Sequence, residues 1–536
     1  MKTGGLAFHH PFAFWLGCIA LAAGVVGHLP AFIASAPQHY RMHGMEMDHA
    51  MMIGMILIPL GFLAATWGLV PRLGSLKADA GGPPITFHVA DGVPLNRSHW
   101  LLVVVLLVAL AVDVMKPATL GFVLPGMSAE YGIARETAGW LAFVALTGTT
   151  IGSVVWGRFA DAYGRRAAIL LSALMFIGTA ICGTMNSFAM NLVMCFLMGA
   201  SAGGLLPIAF TLMAEMVPAA HRGWLLVALG GIGTSAGYLL AAGSAAILEP
   251  LFSWRVLWLL GLPTGALIIV LDRWIPESPR FLAHSGLIDQ ARAVLARFAG
   301  VIDGVAAPGV PEGAPGGVAS AGGAQPTVRE LLSGPQAGLT WGLIACGVAW
   351  GLVNFGFMLW LPTSLGAMGM DAAVASGLLA RSALLAVPGI AIVIVLYHRW
   401  SSVRALVLFA ALTAGALLAF CAIEIARVRD PAVLVAATVW LLVSASGVIA
   451  MLIPYAAEIY PSRLRGTGSG LIAASSKFGG ILGAVCGVTG ILNDLLLSGV
   501  AIAATMAVAA VLVARCGIET RGRRLEDIEA DAVRRA

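Results

Sequence analysis

One short pattern occurs twice, 243 residues apart. Ala214-Glu215-x-x-Pro218-x-x-x-Arg222-Gly223 returns as Ala457-Glu458-x-x-Pro461-x-x-x-Arg465-Gly466, and each copy closes one long apolar run and opens the next. A second echo lies 242 residues apart, Glu277 in IPESPR and Glu519 in IETRGR, each just after an apolar run. Helix punctuation repeated at such an interval, between stretches too apolar for water, constrains the chain to a duplicated membrane bundle. Composition closes off the soluble alternative. Only 11% of the 536 residues are charged and 59% are hydrophobic, where a soluble domain carries about 25% charged residues. Seven cysteines are scattered through the apolar runs without paired spacing, which implies neither a disulfide framework nor a zinc site.

Apolar runs long enough to span a bilayer fall into a leading pair, 11–35 and 49–71, and twelve core segments. The core segments are 99–124, 138–157, 166–186, 188–215, 222–248, 253–273, 338–362, 374–397, 403–427, 431–455, 465–491 and 495–516. The first run lacks a small-residue cleavage site and reads as an uncleaved helix rather than a signal peptide. With the N-terminus inside, 23 of the 31 lysines and arginines fall on the cytoplasmic side. Five fall outside (Arg41, Arg135, Arg255, Arg427, Arg429) and three within helices (Lys116, Arg381, Lys477). The expected protein is therefore a multi-pass, all-α protein of the cell inner (plasma) membrane, with fourteen helices and both termini cytoplasmic. Its parts are a two-helix segment (1–75), a cytoplasmic linker (76–98), a six-helix half (99–275), a cytoplasmic loop (276–337), a second six-helix half (338–517) and a tail (518–536). Within the loop, 286–299 reads as a short amphipathic helix, and the Gly/Ala/Pro-rich stretch after it cannot bury a core.

Here the residues resemble a known family. Gly157-Arg158-Phe159-Ala160-Asp161-Ala162-Tyr163-Gly164-Arg165-Arg166, between core segments 2 and 3, is similar to the loop motif of the major facilitator superfamily. Pro276-Glu277-Ser278-Pro279-Arg280 after core segment 6, and Trp254-Arg255 opening it, resemble the sugar-porter and metabolite:proton-symporter branch. The resemblance covers about 99–528 and implies a twelve-helix bundle of two halves that rock about a site at the bilayer midplane. The residues also carry a reading of their own. Gly157 and Gly164 suit a tight turn. Asp161, Glu215, Glu277, Glu458 and Glu519 are acids on a basic face, with Arg165, Arg222 and Arg465 at helix ends beside them. These residues are expected to form a cytoplasmic gate of ion pairs between the halves. The second half departs from the motif: His398-Arg399-Trp400-Ser401-Ser402-Val403-Arg404 has no acid, so the latch is expected to be asymmetric.

Ionisable residues inside a membrane bundle are costly and usually functional. Asp113 and Lys116 lie three residues apart in core segment 1, Arg381 lies early in segment 8, and Lys477 lies midway along segment 11. Three cations against one deep acid predict a cavity of surplus positive charge that favours an anion. Lys116, Arg381 and Lys477, with Asn354 of segment 7, are the expected substrate ligands. Asp113 is the expected proton carrier, since no histidine lies deep in the core. The resemblance extends to aromatic-acid:proton symporters, which place an acid in helix 1 and an arginine in helix 8; their paired-aspartate pattern is absent here. Sugar porters bind hydroxyls with amides in helices 5 and 7, and Asn354 alone offers one.

The loop between the leading helices carries His39, Met42, His43, Met45, Met47 and His49, a thioether and imidazole set suited to copper. No other metal or cofactor is implied. The favoured function is secondary transport of a small organic anion, a carboxylate metabolite, by proton symport and alternating access. The alternatives are a copper or metal-chelate transporter fed by this loop, or a transporter of neutral metabolites or drugs. No GxxxxGK[ST] loop for ATP is present and no catalytic constellation appears, so an enzyme is not expected. The expected partners are a small-molecule substrate, protons and membrane lipid, with no nucleic acid, and the expected state is a monomer.

Overall fold

The computed structural model of the protein describes residues 10–70, 93–285, 287–299, 328–334, 336–367, 369–460, 465–490 and 494–520. Most of the 76–98 linker, the Gly/Ala/Pro-rich stretch, the tail beyond 520 and the side chains of Asp161 and Arg465 lie outside the described residues. All regular structure among the described residues is helical. Fourteen helices are long and apolar enough to cross a membrane. They are α1 (Pro11–Ala34), α2 (His49–Leu69), α3 (Arg97–Tyr131), α4 (Glu136–Ala160), α5 (Arg165–Thr184), α6 (Phe188–Met216), α7 (Ala220–Phe252), α8 (Val256–Trp274), α9 (Ala337–Gly366), α10 (Ala372–Arg399), α11 (Ser402–Ile425), α12 (Pro431–Ala456), α13 (Gly468–Val488) and α14 (Leu495–Cys516).

The element count follows the apolar runs, and the irregularities inside the elements have local causes. A capping box opens α3: Asn96 accepts from the N–H of Ser98 and His99 while the His99 ring accepts from the Asn96 N–H. Further along, Pro117 has no N–H to give the Asp113 carbonyl one turn earlier, so the helix is weakened at its acidic residue. In α9 the chain widens into a π turn over Val353–Phe357, a feature often found at functional sites. Gly157 is a residue of the long helix that contains α4 and makes no turn. The turn belongs to Gly164, which sits at φ +105 where a side chain would be strained and a Cβ would strike the Glu277 carboxylate.

The two halves meet along small residues. Gly121 of α3 lies against the Leu359 backbone of α9, and Gly139 of α4 against Val488 at the end of α13. Gly231 of α7 lies against Ile390 of α10, and Ser235 of α7 reaches Ser446 of α12, Oγ to Oγ at 3.4 Å. The leading helices α1 and α2 pair through glycines seven residues apart, Gly17 and Gly24 facing Gly61 and Gly54, so that their backbones touch. The pair docks on the first half: Leu21 and Ile58 flank Gly178 of α5. The amphipathic segment of the loop forms a helix, Ile288–Ala299, whose Phe298 carbonyl accepts from Asn96 Nδ2 at 2.6 Å.

Candidate substrate and coupling site

Asp113 and Lys116 leave α3 in different directions. Lys116 is fully buried and points into the first half. Its ammonium donates to the Phe176 carbonyl and to Thr179 Oγ1, both at 2.7 Å, and stands 3.8 Å from the Phe176 ring centre. Gly261 of α8 closes over it. Lys116, expected as a substrate ligand, is thus held by α5 and α8 in this structure. Asp113 is 6% exposed and interacts electrostatically with Lys477 of α13 as well as with Lys116. Asp113 and Lys477 belong to opposite halves, and each feels the charge of the other.

Arg381 lies apart from the buried face of its helix. The buried stripe of α10 runs through Ala375, Leu379, Ser382, Ala386, Ile390, Val393 and Tyr397. Arg381 lies off that stripe, exposed, in line with Val374, Leu385 and Ile392, which are exposed by more than half. Asn354 sits in the π turn of α9 and spends its amide N–H on the Trp350 carbonyl of its own helix, at 3.2 Å. Of the three cations expected at the site, Lys116 and Lys477 are the electrostatic partners of the buried Asp113, and Arg381 is exposed.

The Arg-rich end holds the repeated acids in a common role. Glu277 accepts from the N–H of Arg165 at 2.7 Å, Arg166 at 3.2 Å and Ser278 at 3.0 Å, capping the first turn of α5. Burial outweighs these bonds and pushes its carboxyl up to about 7. Glu519 does the same for α11, accepting from the Ser402 N–H at 3.0 Å, from Ser402 Oγ at 2.7 Å and from Ser401 Oγ. The acid-free loop of the second half thus supplies hydroxyls instead. Arg165 pairs with Glu215 at 3.5 Å, Arg222 donates to the Val217 carbonyl at 3.4 Å, and Glu458 accepts from Thr520 at 2.6 Å and Tyr397 at 3.0 Å. Each of these bonds lies within one half; of the gate expected between the halves, the side chains of Asp161 and Arg465 lie outside the described residues. Across the seam, the Glu458 carboxylate comes up to Gly223. An acid that sequence reading passed over, Asp272, holds Arg166 with two bonds.

At the opposite end, the His/Met loop is tied down by another missed acid. Glu130, at the end of α3, pairs with the fully buried Arg255 at 2.6 Å and accepts from Trp254 Nε1 at 2.9 Å. The same carboxylate accepts from the N–H of Met42 at 2.9 Å and His43 at 3.1 Å. Asn186 Nδ2 donates to the Met45 carbonyl at 2.8 Å. Met42 is buried in a small cluster with Phe32 and Met51, while His39, His43 and His49 are exposed. Among the described residues, no three His, Cys, Asp or Glu side chains stand close enough to hold a metal ion. The contacts observed for the loop are docking contacts, and Arg255, but not its partner Glu130, was picked out in the sequence.

Comparison with known proteins fits this geometry. The family profile described as Major Facilitator Superfamily matches residues 101–484. The chain is 26% identical to a niacin transporter of Acinetobacter baylyi over 82% of this chain and 98% of that one. It is 33% identical to a 4-hydroxybenzoate transporter of the same organism, over 39% of this chain and 46% of that one. Among solved structures it is similar to the E. coli xylose transporter in a partially occluded inward open conformation. That likeness has a TM-score of 0.62 at 14% identity, covering 80% of this chain and 100% of that one, and concerns the fold.

Proposed function

The chain belongs to the Major Facilitator Superfamily, and on that premise we propose that it carries a small aromatic carboxylate together with a proton. The observation that carries the reading is the Asp113–Lys477 couple, one charge from each half. An anion arriving alone at Lys477 would leave Asp113 buried without its counter-charge, and a proton arriving alone on Asp113 would do the same to Lys477. Each solitary step costs several kcal/mol, roughly 3–5 for a broken buried pair. Together they cost little: the proton sits on an Asp113 carboxyl oxygen, the substrate carboxylate takes its place beside the Lys477 ammonium, and the net charge is unchanged. Simultaneous loading is the physical content of symport.

The cargo class is supported by relatives that are transporters of niacin and of 4-hydroxybenzoate, both aromatic acids. The moving bodies are the halves 99–275 and 338–517, which rock about the couple. The Arg-rich end faces the cytoplasm of a cell whose inner membrane the protein spans, as the distribution of basic residues favours. The test uses purified protein in liposomes with radiolabelled 4-hydroxybenzoate and nicotinate. An inward proton gradient is expected to drive accumulation, and a protonophore to abolish it. Failure to take up any aromatic acid, or uptake indifferent to the gradient, refutes the proposal.

A further inference from the structure

Tyr238 lies on α7, which packs along α3. Its neighbour Gly237 packs on α3 so closely that a Cβ there would press on Val114 and on the Ala111 carbonyl, the residues around Asp113. Three residues before Tyr238, Ser235 touches Ser446 of the other half, so this face of α7 borders the seam between the halves. The Tyr238 ring lies 5.9 Å from the Phe122 ring at an angle of 56°. Its hydroxyl is enclosed and has no hydrogen-bond partner among the described residues. An enclosed hydroxyl without a partner costs about 1–3 kcal/mol. A phenylalanine would pack on Phe122 equally well and spare that cost, so packing alone does not account for the tyrosine.

We infer that the Tyr238 hydroxyl reads the polar atom on the ring of the substrate, the hydroxyl of a hydroxybenzoate or the nitrogen of a pyridine carboxylate. The inference rests on the aromatic-carboxylate reading and adds a specificity determinant to it. The inference requires a substrate whose carboxylate stands beside Lys477 to present its far polar atom to the phenol. Tyr238 donates to a pyridine nitrogen and either donates to or accepts from a phenolic hydroxyl. Benzoate, which lacks such an atom, leaves the hydroxyl unpaired and pays for the mismatch, as sites built around a hydrogen bond do.

The test compares Tyr238→Phe with the wild type in liposomes, measuring KM for benzoate, 4-hydroxybenzoate and nicotinate. The wild type is expected to prefer the two substituted acids over benzoate by roughly 10-fold, the worth of one buried hydrogen bond. In Tyr238→Phe that preference is expected to collapse toward unity through a higher KM for the substituted acids, with benzoate unchanged. A preference that survives the substitution overturns the role of Tyr238. If wild-type protein transports none of the three acids, the cargo proposal itself has failed. If Tyr238→Phe transports none while the wild type does, ligand-induced thermal shifts of the purified variant give the same ratio, and a wild-type ratio there again overturns the inference.

Discussion

Removing the charge from Lys477 alone should harm the protein more than removing both charges of the couple. Asp113 is buried, and its two electrostatic partners are Lys477 and Lys116. The Lys116 ammonium is already engaged by the Phe176 carbonyl and Thr179. In Lys477→Met, Asp113 therefore loses the partner from the second half. Two unit charges about 4–8 Å apart, at an effective dielectric constant near 20, attract by about 2–4 kcal/mol. Each single variant, Lys477→Met or Asp113→Asn, forfeits that attraction and leaves the other group buried and unmatched. The double variant forfeits it once and leaves nothing unmatched, so the coupling energy should be about 2 kcal/mol or more. Contacting pairs typically show 0.5–3 kcal/mol in such cycles. The assay is reversible chemical denaturation of the four proteins in one detergent, with proton-driven uptake measured in parallel. The double variant is expected to be more stable than the less stable single variant and to accumulate no substrate. Additivity within about 0.5 kcal/mol would refute the couple, and with it the argument for obligatory joint loading.

Other perturbations separate the remaining claims. Lys116→Met should leave the KM for an aromatic acid within about twofold of wild type, because the ammonium bonds to α5 and not to cargo; uptake assays check this. Glu277, whose carboxyl is raised from 4.5 to about 7 by burial, binds a proton on folding. Its contribution to stability is therefore full below about pH 4.5 and is lost as the pH rises toward 7, by roughly 3 kcal/mol in total. Glu277→Gln should flatten that slope between pH 5 and 7.5, and a slope equal to wild type by denaturant titration would contradict the assignment. Arg255→Met should cost about 3–5 kcal/mol by stranding Glu130. It should also free the 39–48 loop for protease cleavage in the intact protein, an effect that mass spectrometry of the fragments would detect.

The bundle was legible because its signal is one-dimensional. Apolar runs, their punctuation and the basic loops each depend on where residues fall along the chain, and a bilayer reads the chain in the same way. The direction of a side chain is not such a quantity. Asp113 and Lys116 share a helical face by spacing, yet the long lysine stem carries its charge back to α5 while the short aspartate stays near the seam. Arg381 is exposed beside the buried stripe of α10, a placement that its position along the chain does not reveal. The docking of α1 on α2 was written in the sequence, in the spacing of Gly17 and Gly24 against Gly54 and Gly61. It could be recognised only once two helices were known to face each other. Tyr238 carried no sequence signal at all, since a tyrosine in a membrane helix is ordinary until its hydroxyl is found without a partner.

The repeated acids show why the halves can move as bodies. Glu277 ties the loop after α8 to the first turn of α5, and Glu519 ties the segment after α14 to the first turn of α11. In each half, the last helix is thus bonded at its exit to the third, by a carboxylate that satisfies N–H groups the helix start would otherwise leave open. Such closure stiffens a six-helix half without spending any bond on the other half. Among the described residues, the halves make close contact at small residues, Gly121, Gly139, Gly231 and the Ser235–Ser446 pair, and at Gly223 against the Glu458 carboxylate. Small residues let backbones approach and part without withdrawing long side chains from pockets. A seam of that kind, around a single buried charge couple, is inexpensive to open on either side once the couple is discharged.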